Sequence, residues 1–152
     1  YALTYYADTA YSINNSSPTI SHSTVIYSNS GVSISSAASP VIQNNTFRDN
    51  SGTAIYLGGS TATVKDNIFV NNSGYAMWMD ASAFPNNSGN LAYYNGYNGI
   101  HLDGTVNIRG MWKKDLPYII ENDILVSTGV VLTLEPGIIF KSISGVLLSM
   151  VG

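Results

Sequence analysis

An all-β solenoid, a parallel β-helix with coils of about 22 residues, is the fold class this sequence predicts. Three observations carry it. The chain repeats itself at a nearly constant period, each repeat is patterned with period two, and neutral polar side chains stand where charged ones usually do. Residues 39–57 return almost in copy at 61–79, with Ile42 matching Val64, Asn45 matching Asn67, Phe47 matching Phe69, Asn50 matching Asn72 and Gly52 matching Gly74. Self-similarity at such a period is the mark of stacked repeats. A third copy follows 23 residues on, with Pro85, Asn90, Asn95, Ile100 and Leu102 in register. Upstream, Pro18, Ile20, Val25, Val32 and Ile34 make a copy one residue shorter, and 1–15 reads as part of an earlier one.

Each unit is too short for a pair of helices. Asn45-x-Phe47 and Ile55-x-Leu57 put alternate residues on one face, as strands do. Asn, Gly and Ser separate these strands, and all three suit turns, Gly and Asn with left-handed backbone. Three short strands and three turns per coil, stacked roughly 4.8 Å apart, pair every strand with its copies. Apolar columns then fill the bore: Ile20, Ile42 and Val64; Val25, Phe47 and Phe69; Ile34, Leu57, Met79 and Leu102. Asn45, Asn67 and Asn90 form one polar column and Asn50, Asn72 and Asn95 another, each amide able to bond its copy in the next coil.

Composition narrows the function. Of 152 residues only 10% are charged while 45% are hydrophobic, so the chain has the apolar material for a core. Sixteen Asn, 20 Ser and 11 Thr make up the polar share. A net charge of −3 with six basic residues argues against nucleic acid and anionic membrane partners. No apolar run approaches the roughly 18 residues of a membrane helix. Absence of Cys removes disulfides, thiolate metal sites and cysteine nucleophiles.

The phrase Asn-x-Phe-x-x-Asn followed by Gly-x-Ala-Ile-x-Leu, Asn45 to Leu57, resembles the right-handed parallel β-helix repeat proteins of the pectin-lyase-like superfamily, of uncharacterised bacterial surface or secreted type. That resemblance spans 1–108. It implies a three-faced right-handed β-helix, and it specifies a fold more than an activity, since the superfamily holds polysaccharide lyases and hydrolases, epimerases, tailspikes and proteins without known chemistry. The unit at 85–102 departs from the pattern at Asn87 and Ala92, which predicts looser packing there. Residues 109–118 read as a loop or junction, and 119–152 as the truncated start of a second β-helical run. The stretch Val146–Val151 reads as an open strand edge through which the chain would self-associate.

Enzyme templates find little purchase. P-loop, dinucleotide, zincin and nucleophile-elbow motifs are missing. His22 and Gly58-Gly59-Ser60 read as turn residues, and Asp49 and Asp66 as solubilising turn aspartates. One constellation survives. Asp80 and Asp103 lie one coil apart, where two carboxylates about 5 Å from each other would bind Ca2+, share a proton in catalysis, or simply end two strands in solvent. Beside them Tyr56, Trp78 and His101 recur at one outward phase, an aromatic ladder suited to a polysaccharide or other glycan. The ladder is either open to ligand or covered by the 109–118 excursion. Ile68, Val70, Leu91 and Tyr93 make a second outward, apolar patch. The reading that follows is a surface or secreted β-helix module with a structural or adhesive role and no demonstrated catalysis, the balance for this segment alone leaning away from an enzyme. The alternatives are a fragment of a carbohydrate-active enzyme and a non-catalytic glycan-binding module.

Overall fold

The computed structural model describes residues 1–35 and 38–150. Among them every regular element is a strand, and every strand pair is parallel. Among the described residues no helix is long and apolar enough to cross a membrane. Each coil of the first part passes three faces. The first face stacks Thr19–Ser21, Val41–Gln43, Thr63–Lys65 and Asn86–Ser88; the second stacks five strands from Leu3–Tyr5 to Leu91–Tyr93. The third face is the longest, seven strands from Thr9–Asn14 through Ile55–Leu57, Tyr75–Asp80, Tyr97–Asp103 and Tyr118–Ile120 to Phe140–Ser142. Seven coils therefore share one sheet.

The register is the one the repeats predict. Ile20 pairs Ile42 and Ile42 pairs Val64; Val25, Phe47 and Phe69 stack, with the two phenyl rings 5.5 Å apart. Ile34, Leu57, Met79 and Leu102 stack likewise and are wholly buried. Burial of these columns supplies the main stabilisation, roughly 1.5–3 kcal/mol for each large side chain.

Two corners are closed by asparagine. Between the first and second faces, Asn45 N–H and Nδ2 both donate to Asn67 Oδ1 at 3.0 and 3.1 Å, and Asn67 does the same to Asn90 Oδ1. Between the second and third faces Asn50, Asn72 and Asn95 repeat the arrangement. Each second amide hydrogen goes to a backbone carbonyl three strands back, such as Ile42 O for Asn67. The residue before each inward Asn has left-handed backbone: Asn44, Asp66 and Gly89 at one corner, Asp49, Asn71 and Tyr94 at the other. Asp49 and Asp66 thus do more than solubilise, since aspartate adopts this conformation at less cost than most residues. His22 is also left-handed and exposed, as a turn histidine should be.

Both ladders have ends. Ser23 and Ser28 begin them, their N–H groups donating to Asn45 and Asn50. Asn98 Oδ1 closes the second ladder from within its own coil. Asp115 closes the first, taking Asn90 N–H at 3.1 Å and Nδ2 at 2.6 Å. Burial pushes the Asp115 carboxyl above its ordinary range, and the Asn90 and Asn87 hydrogen bonds pull it back.

At the junction the third face runs on without interruption, Ile100 pairing Tyr118 and Tyr118 pairing Phe140. The other faces change sheets, to Thr105–Val106, Ile124–Val126 and Leu148–Met150 on one side and Gly110–Trp112 with Leu132–Leu134 on the other. The stretch expected as loop therefore carries a strand. Trp112 is buried and packs on Tyr118 and Phe140 inside the bore. It does not cover Trp78, which is half-buried. Asn87, where looser packing was expected, is buried, while Ala92 is half-buried. Of the Val146–Val151 stretch, Leu148–Met150 pairs Ile124–Val126, and Val151 lies outside the described residues.

Candidate functional site

Alternation on the third face decides which side chains meet solvent. Val32, Ile55, Met77 and Ile100 point inward, as do Ile34, Leu57, Met79 and Leu102. Between them the outward column reads Ser12, Ser33, Tyr56, Trp78, His101, Ile119 and Lys141. Tyr56, Trp78 and His101 are thus in register, as expected, and Asp80 and Asp103 are paired on adjoining strands.

The rings stack upon one another. Tyr56 and Trp78 lie 4.3 Å apart and 13° from parallel; Trp78 and His101 lie 5.9 Å apart at 25°. A second aromatic pair, Tyr75 and Tyr97, stacks alongside at 4.4 Å, and Tyr75 also leans on His101 at 4.6 Å. The ladder is therefore not a row of open platforms. Ring faces within it are turned to each other, and His101 retains only 6% exposure. Of the two outcomes expected, open to ligand or covered by the 109–118 excursion, His101 meets neither: Tyr75 and Glu121, joined by a hydrogen bond, stand against it.

Glu121 is the acid the repeat pattern did not single out. Its carboxylate accepts a short hydrogen bond from the Tyr75 hydroxyl and lies 3.4 Å from His101 Nε2. Burial lowers the His101 pKa, against the opposing pull of Glu121 and Asp103. The Tyr75 phenol is raised by burial and by Glu121, and the Tyr56 phenol by burial and then by Asp80 and Asp103. Asp80 serves its own turn, its Oδ1 accepting the Ser82 N–H at 3.0 Å. Among the described residues no group of three His, Cys, Asp or Glu comes together in a way that suits a metal ion. Asp80 and Asp103 bring two carboxylates to adjoining strands.

Two hollows flank the aromatic block on this face. Thr9, Ser30, Ser33 and Thr53 line one together with Tyr56 and Trp78. Tyr97, Ile119, Glu121 and Lys141 are among those lining the other. In the second patch, on the second face, Leu91 and Tyr93 are exposed and Ile68 and Val70 half-buried.

Parallel strands on three faces, with asparagine at two corners and an aromatic strip outside, put this chain among the right-handed parallel β-solenoid proteins. Residues 4–111 match the family model described as "Right handed beta helix region", and the chain belongs to that family. No curated protein and no solved structure matches it.

Proposed function

We propose that this β-helix repeat module is a surface or secreted, structural and adhesive element that holds glycan on its third face and performs no catalysis. The observation that supports this most is the outward column of that face, which passes from hydroxyls at Ser12 and Ser33 to rings at Tyr56 and Trp78. Rings offer the apolar face of a sugar a partner, and hydroxyls serve as both donor and acceptor for its oxygens. Rigid, continuous sheet beneath them keeps the geometry fixed before a ligand arrives, so little ordering entropy is lost on binding. The Asp80–Asp103 pair supports a second reading, a carbohydrate-active enzyme fragment with or without Ca2+. Asp80 already accepts the Ser82 N–H, which fits a turn role better than acid–base work.

A glycan array probed with the whole chain tests the proposal, with the Tyr56→Ala/Trp78→Ala double variant as reference. Retention of glycans by the parent and loss of at least tenfold in the double variant is the expected result. Turnover of a bound glycan, abolished by Asp80→Asn or Asp103→Asn, would decide for the enzyme. Equal signals from parent and double variant across the array would end the glycan reading. Fractionation of producing cells tests the location, the protein being expected in the medium or on the cell exterior.

A further inference from the structure

Stacking changes where a ligand can sit. One face of Tyr56 lies on Trp78, Trp78 stacks in turn towards His101, and His101 meets Tyr75, which stacks on Tyr97. Within the ladder the Tyr56 face that looks back along the helix axis, toward Ser33 in the preceding coil, has no ring upon it. There the column steps down from an aromatic side chain to a serine. The step leaves an open hollow of about 480 Å³, lined by Thr9, Ser30, Ser33 and Thr53, with Tyr56 and Trp78 as its wall. That volume falls in the range of ligand sites, about 300–1,000 Å³.

We infer that this hollow is a single subsite for a neutral pyranose, which takes the place of the next ring in the ladder, its apolar face on Tyr56 and its hydroxyls on the four Ser and Thr side chains. This rests on the glycan reading above and specifies it, in position and in charge. Geometry gives the position. A sugar ring and a tyrosine ring stack at about the spacing of neighbouring coils, roughly 4.8 Å, so a pyranose on Tyr56 continues the column in register. The ladder then presents one binding face and not one per coil.

Charge gives the class of sugar. No charged side chain lines the hollow. Its Tyr56 wall stands near Asp80 and Asp103, which raise the phenol after the larger effect of burial. Basic residues lie elsewhere. Arg48 is on the second face and bound to Asp49 at 2.7 Å. Lys141 is four strands further along the third face, roughly 19 Å at the usual strand spacing and beyond the screening length of about 8 Å. A uronate or sulfated sugar would bring negative charge to a site that holds no counter-charge and already feels two carboxylates. A neutral hexose or pentose meets only hydroxyls and a ring.

Titration of the whole chain, followed by tyrosine and tryptophan fluorescence, with a neutral β-1,4-glucan oligosaccharide, a neutral mannan oligosaccharide and an oligogalacturonate separates the outcomes once the array has shown retention. Neutral glycans should lead on the array and in titration, with uronates at least tenfold weaker at low salt and the gap narrowing as salt is raised. Ser33→Tyr should extend the ladder into the hollow and lower affinity for the neutral sugar at least tenfold, with thermal unfolding unchanged. Thr53→Val offers a milder change and should weaken binding without filling the site. Preference for uronates, or undiminished binding by Ser33→Tyr in its folded form, would overturn the inference and leave the glycan reading standing. Absence of any glycan binding would remove both.

Discussion

The coils below the junction and those above it solve the same problem with different residues. Below, two corners in three turn around an inward asparagine preceded by a left-handed residue. Above, turns run through left-handed glycines, Gly129, Gly137 and Gly145. Below, the bore columns Ile42, Leu57, Val64, Phe69 and Met77 are fully buried. Above, Leu132, Ile138, Phe140, Val146 and Leu148 are only partly so. An asparagine ladder is worth having only when the next coil supplies another, because each amide needs its copy as a partner. The step from Ile100 to Tyr118 is shorter than the regular coil, so the copy falls out of place, and Asp115 ends the ladder with a carboxylate. Past that point carboxylates bridge the coils in place of amides, Glu135 accepting the Lys114 N–H and Asp123 the Leu147 N–H.

The difference can be broken most severely from below. Asn67→Ala removes the acceptor of Asn45 N–H and Nδ2 and the donor to Ile42 O and Asn90 Oδ1, all buried or partly so. Leaving such groups unpaired costs about 1–3 kcal/mol each before relaxation, and a total loss of about 3–5 kcal/mol is expected in urea unfolding. A loss below about 1 kcal/mol would mean that the ladder contributes little and that apolar stacking alone holds the lower coils.

Glycine separates the regions in a second way. Gly74 stacks on Gly52, and a Cβ built on it would sit 2.8 Å from Gly52 C and from Thr53 N, both backbone atoms that cannot swing aside. Gly129 has φ 75° and nothing within 4 Å of its Cβ. Gly74→Ala should therefore force the coils apart and cost about 1–3 kcal/mol, as overpacking does. Gly129→Ala should cost about 1 kcal/mol from backbone strain alone. Thermal melts of the two variants sharpen the comparison, since equal losses would erase the distinction between close approach below and left-handed turns above.

Asp115, which joins the regions, gives a smaller effect with a definite sign. Its folded pKa is raised above 3.8, first by burial. Its contribution to stability is therefore full below about pH 3.8 and is lost as pH rises through the folded value. Within the ladder a single amide oxygen accepts both donors of the preceding residue, so Asp115→Asn can close it without a buried charge. The variant should match or slightly exceed the parent in melting temperature at pH 7, and its advantage should shrink in acid. A marked loss at pH 7 would show that the carboxylate charge itself anchors the ladder.

Much of this was written in the repeats, and the exceptions have physical reasons. Period fixes phase, so the columns Val25–Phe47–Phe69 and Tyr56–Trp78–His101 could be aligned from sequence. Phase does not fix side-chain rotation. That the rings of Tyr56 and Trp78 lie flat upon each other, with one free face, depends on χ angles the pattern does not encode. Tyr75 and Tyr97 stand a coil apart and were open to the same reasoning. Glu121 and Asp115 were not, because Asp115 lies within the shortened coil and Glu121 just after it, out of phase with the coils below.

His101 tests the face that both regions share, and its effect should be the smallest. It is flanked by the rings of Trp78 and Tyr75, with Glu121 and Asp103 the charged groups acting on it. Its Nδ1 is buried without a hydrogen-bond partner, and Nε2 lies 3.4 Å from Glu121. Burial outweighs the two carboxylates and sets the folded pKa below the ordinary 6.5. A depressed histidine contributes stability that is present above pH 6.5 and is lost as pH falls through the folded value. Melting temperatures from pH 8 to pH 5 should therefore fall less in His101→Gln than in the parent, while Glu121→Gln, which removes a favourable counter-charge, should shift the acid loss to lower pH and steepen it. Parallel curves for parent and His101→Gln would mean that the imidazole titrates alike in the folded and unfolded chain. The aromatic strip would then be open to water at the point where the lower coils pass into the upper ones.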